Sequence, residues 1–261
     1  MIRYLLAALL SLAPLLALGS PAHAATAYVT GCANASGAGS TTIACTMGGA
    51  VSATGVIVGA VSWDGTTNTA TCADGTNTYT MVANTRIDDA TNNRRTQGFY
   101  AENVAAGTPT ITCTISASVN ARSLVAHAVS GTSVSGSLDV SIGQNQQNPG
   151  AGTDAITSTA VTTTAAGDYI FGASADTAVQ CPTFVAGTNF TIRDVTACAG
   201  IPMGSEGLIQ GGAASIAGTF TVSGCGVCDY NTVVLTFKAA GGGTRRGSAP
   251  IMLSRLEEVQ P

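Results

Sequence analysis

Two cysteines three residues apart, Cys225 and Cys228, stand in the stretch SGCGVCDYNTVVLTFKAAGGG. A C-x-x-C spacing can serve thiol–disulfide exchange, half of a tetrahedral metal site, or a structural cross-link. Exchange chemistry needs the first cysteine at a helix N-terminus, where the dipole lowers the thiol pKa. Here GTFTVSG and TVVLTFKAA flank the pair as strand patterns, which places both cysteines in the hairpin turn between two strands. Zinc would need further thiolate or imidazole ligands, and the chain offers no second C-x-x-C and no histidine nearby. The cross-link reading is left, between the two cysteines or from them to Cys181 and Cys198.

The remaining reactive side chains are sparse. Beyond position 24 the only histidine is His127, in LVAHAVS, and no G-x-S-x-G accompanies it. Strand alternation puts His127 on a face with Val125 and Val129, the setting of a structural histidine. Glycoside hydrolysis needs two carboxylates flanking the scissile bond. The glutamates are Glu102, Glu206, Glu257 and Glu258, so Glu102 with Glu206 is the one pair outside the C-terminal end, and Glu102 reads as a loop hydrogen-bonding group. No catalytic residue is therefore assigned, and the chain is not expected to be an enzyme. Asp64, Asn68, Asp74 and Asn77 are oxygen-bearing loop residues of the kind calcium takes. Asp64, Asp74 and Asn77 are the calcium candidates; their spacing is not that of an EF-hand, turn propensity also accounts for them, and no other cofactor is expected. Trp63 closes an apolar strand, as a core residue would, while Tyr79, Tyr100 and Tyr230 lie near turns.

The elements that must carry these residues are strands. In GVIVGAVSW, Val56, Val58 and Ala60 fall on one face and Ile57, Val61 and Trp63 on the other. In TPTITCTISAS, Ile111, Cys113 and Ile115 point inward and Thr110, Thr112 and Thr114 outward. Period-two patterns of this kind recur along the chain, divided by Gly, Asn, Asp and Pro clusters, with no helical periodicity long enough for a crossover. That predicts an all-β fold: an antiparallel β-sandwich, jelly-roll or Ig-like, stapled by disulfides. Residues 143–167, polar and small, read as a long connection with one strand.

Composition sets the compartment. Residues 1–24 combine Arg3, an apolar run and an A-x-A site, the signature of a signal peptide, and all eight cysteines follow it. Cys32, Cys45, Cys72, Cys113, Cys181, Cys198, Cys225 and Cys228 are the disulfide candidates of a secreted or cell-surface chain, with the periplasm as a point of transit. Cys72 with Cys113 is the preferred pair, and Cys32 with Cys45 would close an N-terminal hairpin. The formal charge of −4 with 9% charged residues gives no basic footprint for nucleic acid, and no later segment is apolar enough to span a membrane. The organisation expected is a signal peptide over 1–24, a sandwich over 25–240, and a glycine hinge with a tail over 241–261. In that tail Leu253, Leu256 and Val259 would form an interaction element.

The succession VSWDGTTNTATCADGTNTYTMVA, FYAENVAAGTPTITCTIS, LVAHAVSGTSVSGSLDVS, VTTTAAGDYIFGAS and YNTVVLTFKAA resembles a jelly-roll-like β-sandwich module of secreted and surface proteins of bacteria and of phage virions, over roughly residues 50–240. The resemblance implies adhesion, envelope structure or carbohydrate contact. The expectation is a non-catalytic structural or adhesive protein, a subunit of an extracellular filament or surface assembly, with itself, other surface proteins or polysaccharide as partners. A carbohydrate-binding module is the alternative.

Overall fold

The computed structural model describes residues 25–147 and 152–241. The expected signal segment and the tail residues Leu253, Leu256 and Val259 lie outside the described residues. The strands divide into two runs. The first holds β1 (Ala27–Ser36), β2 (Ser40–Thr46), β3 (Val56–Asp64), β4 (Ala70–Ala73), β5 (Thr80–Met81), β6 (Ile87–Asp89), β7 (Arg94–Glu102), β8 (Thr110–Val119) and β9 (Arg122–Ser130). The second holds β10 (Leu138–Gln146), β11 (Gly152–Thr157), β12 (Val161–Thr162), β13 (Tyr169–Asp176), β14 (Thr183–Ala186), β15 (Thr191–Val195), β16 (Met203–Ile209), β17 (Ser215–Ile216), β18 (Thr219–Cys225) and β19 (Tyr230–Phe237).

The two runs build the same object. In the first, a large sheet of order β1-β9-β3-β7-β5 faces a small sheet β2-β8-β4. In the second, β10-β19-β13-β16-β15 faces β11-β18-β14 in the same order. Even the minor pairings match: β12 with β17 in the second run corresponds to the isolated bridge Val51–Gly107 in the first. All pairings are antiparallel, and successive strands mostly alternate between the two sheets, which is jelly-roll connectivity. The stretch 25–240, expected to form one sandwich, thus holds two of like topology.

They stack through their large sheets. One apolar cluster fills the first sandwich, with Ile43, Ile57, Val61, Trp63, Phe99 and Ile111 among its members. A second lies between the sandwiches, where Val56, Val58, Ala60 and Val125 meet Phe171, Ala173, Val233 and Leu235. A third, smaller one fills the second sandwich around Phe184, Phe220 and Val222. The apolar run of β3 follows from this position: one face packs inside its own sandwich and the other against its neighbour.

Three local expectations change. Cys225 and Cys228 are not in a hairpin, because β18 pairs with β11 and β14 while β19 pairs with β10 and β13. Their segment is an arch between two sheets. Nor does Cys32–Cys45 close a hairpin: β1 and β2 lie in opposite sheets, and the disulfide joins them across the interior. Alternation identifies a strand but carries no information on its partner, and sequential strands are neighbours often but not always. Residues 143–167 hold the end of β10, β11 and β12 rather than a single strand. The other bonds are Cys72–Cys113, Cys181–Cys198 and Cys225–Cys228, with no free cysteine among the described residues. Four disulfides mark an oxidising compartment.

Candidate functional site

Matching the two sandwiches residue by residue locates the unusual chemistry. Gly59 on β3 pairs with Phe99 and Ala126; Gly172 on β13 pairs with Glu206 and Val234. Each glycine leaves room for the side chain that crosses over it, Phe99 in one case and Glu206 in the other. Moving along from this anchor, Val61 corresponds to Ser174, Leu124 to Thr232, and Trp63 to Asp176. In the small sheets the backbone bonds Met47 N→Pro109 O and Ser158 N→Gly218 O are equivalent. They align Ile43 with Asp154, Cys45 with Ile156, and the pair Cys72–Cys113 with Phe184–Val222. The interior of the first sandwich is therefore apolar, and the same positions in the second carry two aspartates, a glutamate and two hydroxyls.

Those polar groups are buried. Glu206 accepts hydrogen bonds from the backbone N–H of Gly187 at 3.0 Å and of Thr219 at 2.9 Å. Burial outweighs both and pushes its pKa up to about 7. Asp176 accepts from the N–H groups of Ala178 at 3.0 Å and Gln180 at 2.6 Å, and burial again raises its pKa. The hydroxyls of Ser174 and Thr232 bond each other at 2.9 Å. Asp154 Oδ2 and the Tyr230 phenol are buried with no hydrogen-bond partner. At one end of this interior Asp176, Cys225 and Cys228 converge, their ligand atoms all within 4.8 Å of one another and all three residues buried. Tyr230 belongs to the same corner: it is the cross-strand neighbour of Asp176 and packs with both cysteines.

His127 lies elsewhere, between the sandwiches. Its Nδ1 meets Tyr169 Oη at 2.8 Å and its Nε2 meets Ser205 Oγ at 2.9 Å, both partners belonging to the second sandwich. Asp194 Oδ2 stands 3.6 Å from the same Nε2. Serine, histidine and aspartate are thus present together, but not as a triad. A triad sets the carboxylate on the ring nitrogen opposite the serine, whereas here Nδ1 is taken by a tyrosine. Burial, with the nearby Arg193 cation, holds the imidazole pKa down at about 3, so the ring is neutral. It bridges the two sandwiches.

The acidic residues read as loop groups hydrogen-bond to neighbouring segments. Asp64 accepts from Arg94 Nε at 2.9 Å and from the Ala121 N–H at 2.8 Å. Asp74 accepts from the N–H groups of Thr76 and Asn77, the Asn77 amide and the Tyr79 phenol. Asp74 and Asn77 share one turn while Asp64 anchors another, so the calcium candidates are not gathered into one cage. Glu102 accepts from the Ser137 N–H and hydroxyl at 2.9 and 2.8 Å, far from the interior where Glu206 is enclosed. Trp63 is fully buried. The site that sequence reasoning missed is the corner at Asp176. A C-x-x-C was visible, but Asp176 lies some fifty residues upstream, and only the antiparallel pairing of β13 with β19 brings it in.

No family model, no curated protein and no solved structure matches this chain.

Proposed function

We propose that this chain is a non-catalytic structural or adhesive protein of the cell exterior, a subunit of an extracellular filament or surface layer. The observation that carries the reading is where its acid–base groups are. His127, Asp176, Ser205 and Glu206 are sealed within or between the sandwiches, and hydrogen bonds to loops and neighbouring sheets occupy them. A substrate cannot reach such groups, and their geometry fixes the packing of one element on another. Four disulfides add the cross-linking of a chain that works in an oxidising compartment. Among the described residues no helix is long and apolar enough to cross a membrane.

Sugar binding, the competing reading, relies on exposed rings for stacking. Every aromatic side chain among the described residues is buried or half-buried, which weighs against it. Electron microscopy of the native secreted material tests the proposal. Ordered filaments or a layer containing this chain are the expected result. A monodisperse monomer that binds a defined polysaccharide on a glycan array would overturn it. A chain lacking residues 242–261 that assembles as the intact one does would remove the tail from the assembly contact.

A further inference from the structure

We propose that the Asp176, Cys225 and Cys228 corner is a metal site in the dithiol state of the protein, taking one Zn²⁺ through two thiolates and the Asp176 carboxylate. The donor set suits the ion: zinc accepts thiolate and carboxylate ligands together in a tetrahedral shell. The ligand atoms already lie within 4.8 Å of one another, with all three residues buried. Asp176 accepts backbone N–H groups of Ala178, Gln180 and Cys181, and a carboxylate's roughly four lone-pair positions exceed those three bonds. Two further observations point to a missing partner at this end of the sandwich. Tyr230 Oη, on the neighbour of Asp176 in the sheet, is fully buried and has no hydrogen-bond partner. Asp154 Oδ2, on the interior face beside Val222 of the strand that ends in Cys225, is equally without one. Unpartnered polar groups in an interior are costly, and a water completing the tetrahedral shell of the ion would donate to the Asp154 carboxylate and accept from the Tyr230 phenol.

In the oxidised protein the two sulfurs are joined. Opening that bond takes two electrons and two protons. A phosphine supplies the electrons and becomes its oxide, with water giving the oxygen and both protons. Metal capture then releases the thiol protons to solvent. The arch is the accessible part of the corner, because Gly226 and Val227 between the cysteines are exposed while the cysteines themselves are buried. The site thus has two mutually exclusive closures, covalent when oxidised and metal-bound when reduced.

Co²⁺ is the probe, because thiolate-to-cobalt charge transfer reports sulfur ligands directly. The full chain is reduced with a phosphine without oxygen, titrated with Co²⁺, and then displaced with Zn²⁺. The expected result is one ion per chain with a two-thiolate band. C225S/C228S under the same reduction must lose it, and D176N must bind at least ~10-fold more weakly. A band that survives in C225S/C228S would place the metal on other cysteines and overturn the proposal. So would an unchanged affinity in D176N, or a reduced parent chain that takes no metal. If D176N fails to fold by circular dichroism, C228S decides: it keeps Asp176, and retention of the full two-thiolate intensity would overturn the assignment.

Discussion

Phe99 in the first sandwich and Glu206 in the second close over equivalent glycines on equivalent strands, Gly59 and Gly172. Around Phe99 the interior is apolar and lined by two disulfides, Cys32–Cys45 between the facing sheets and Cys72–Cys113 between neighbouring strands of the small sheet. Around Glu206 the equivalent positions hold Ile142 and Ile156 for the first bond and Phe184 and Val222 for the second. The covalent links of the second sandwich sit on its connections instead, at Cys181–Cys198 and in the arch. Buried carboxylates do part of the same work there: Glu206 holds the backbone at Gly187 and Thr219, and Asp176 holds the loop at Ala178 and Gln180. One topology is thus closed in two ways, by sulfur across an apolar interior and by carboxylates bonded to backbone amides. The first closure answers to reductant and the second to pH.

The largest effect should come from breaking the equivalent cross-strand contacts. Removing Cys72–Cys113, which closes a sequence separation of 41, is expected to cost about 4 kcal/mol by loop entropy. Phe184→Ala removes the ring at the matching place in the second sandwich and is expected to cost about 4 kcal/mol as a buried aromatic truncation. Urea denaturation of C72A/C113A and of F184A measures both. Similar losses would make the disulfide and the Phe184–Val222 pair energetic counterparts. A loss below ~0.5 kcal/mol for F184A, the scale of a surface substitution, would reduce the match to topology alone.

How far this could be read from the sequence differs between the halves. The two faces of β3, the inward set Ile111, Cys113 and Ile115, and the burial of Trp63 were legible, because each follows from local alternation in an apolar interior. The pairing of Cys72 with Cys113 was legible because Cys113 faces inward and Cys72 lies on a strand expected beside it. The second sandwich hid its equivalence, since Asp154, Ser174, Asp176, Glu206 and Thr232 replace the apolar residues that would have shown the repeat. Polar residues inside a sandwich read as solvent-facing until the sheet is assembled. Most strand partners were illegible: a C-x-x-C between two strands looks like a hairpin whether or not those strands pair.

The next effect is one of pH, because raised carboxylates are concentrated in the second sandwich. In the first, Asp74, Asp88, Asp89 and Glu102 are all held below their ordinary values. For Asp88 the Arg95 guanidinium is the main cause; for the others burial alone would raise the pKa, but hydrogen bonds outweigh it. A depressed carboxylate contributes stability that is present above its unfolded pKa and lost as pH falls through the folded one. In the second sandwich Asp139 is also held low, its hydrogen bonds from Thr164 outweighing burial, but Asp168 and Asp194 are pushed up to about 6, Asp176 is raised and Glu206 reaches about 7, burial being the first cause in each of these four. A raised carboxylate contributes stability that is present below its unfolded pKa and lost as pH rises through the folded one. Hydrogen exchange should therefore show the second sandwich opening more readily at pH 8 than at pH 5, and the first opening more readily near pH 3. Glu206 alone accounts for up to ~3 kcal/mol of the second trend, and E206Q should flatten the slope between pH 5 and 8 whatever its absolute stability. Parallel pH profiles for the two sandwiches would break the comparison.

The smallest effect belongs to the cysteine pair with the most suggestive spacing. Cys225–Cys228 closes a separation of only 3 residues, for which loop entropy gives about 2 kcal/mol at most. Its segment joins two different sheets and already has Tyr230 packed beneath it and Asp229 bonded to Asn92 of the first sandwich at 2.7 Å. Under oxidising conditions C225A/C228A should therefore lose less stability than C72A/C113A and should unfold with the same cooperativity. Exchange should rise in the arch and at the adjoining ends of β18 and β19, while the interior of the first sandwich is unmoved. A loss as large as that of C72A/C113A would mean that the arch is a main staple of the second sandwich. The contrast between a covalent interior and a carboxylate interior would then fail at the corner where Asp176 meets sulfur.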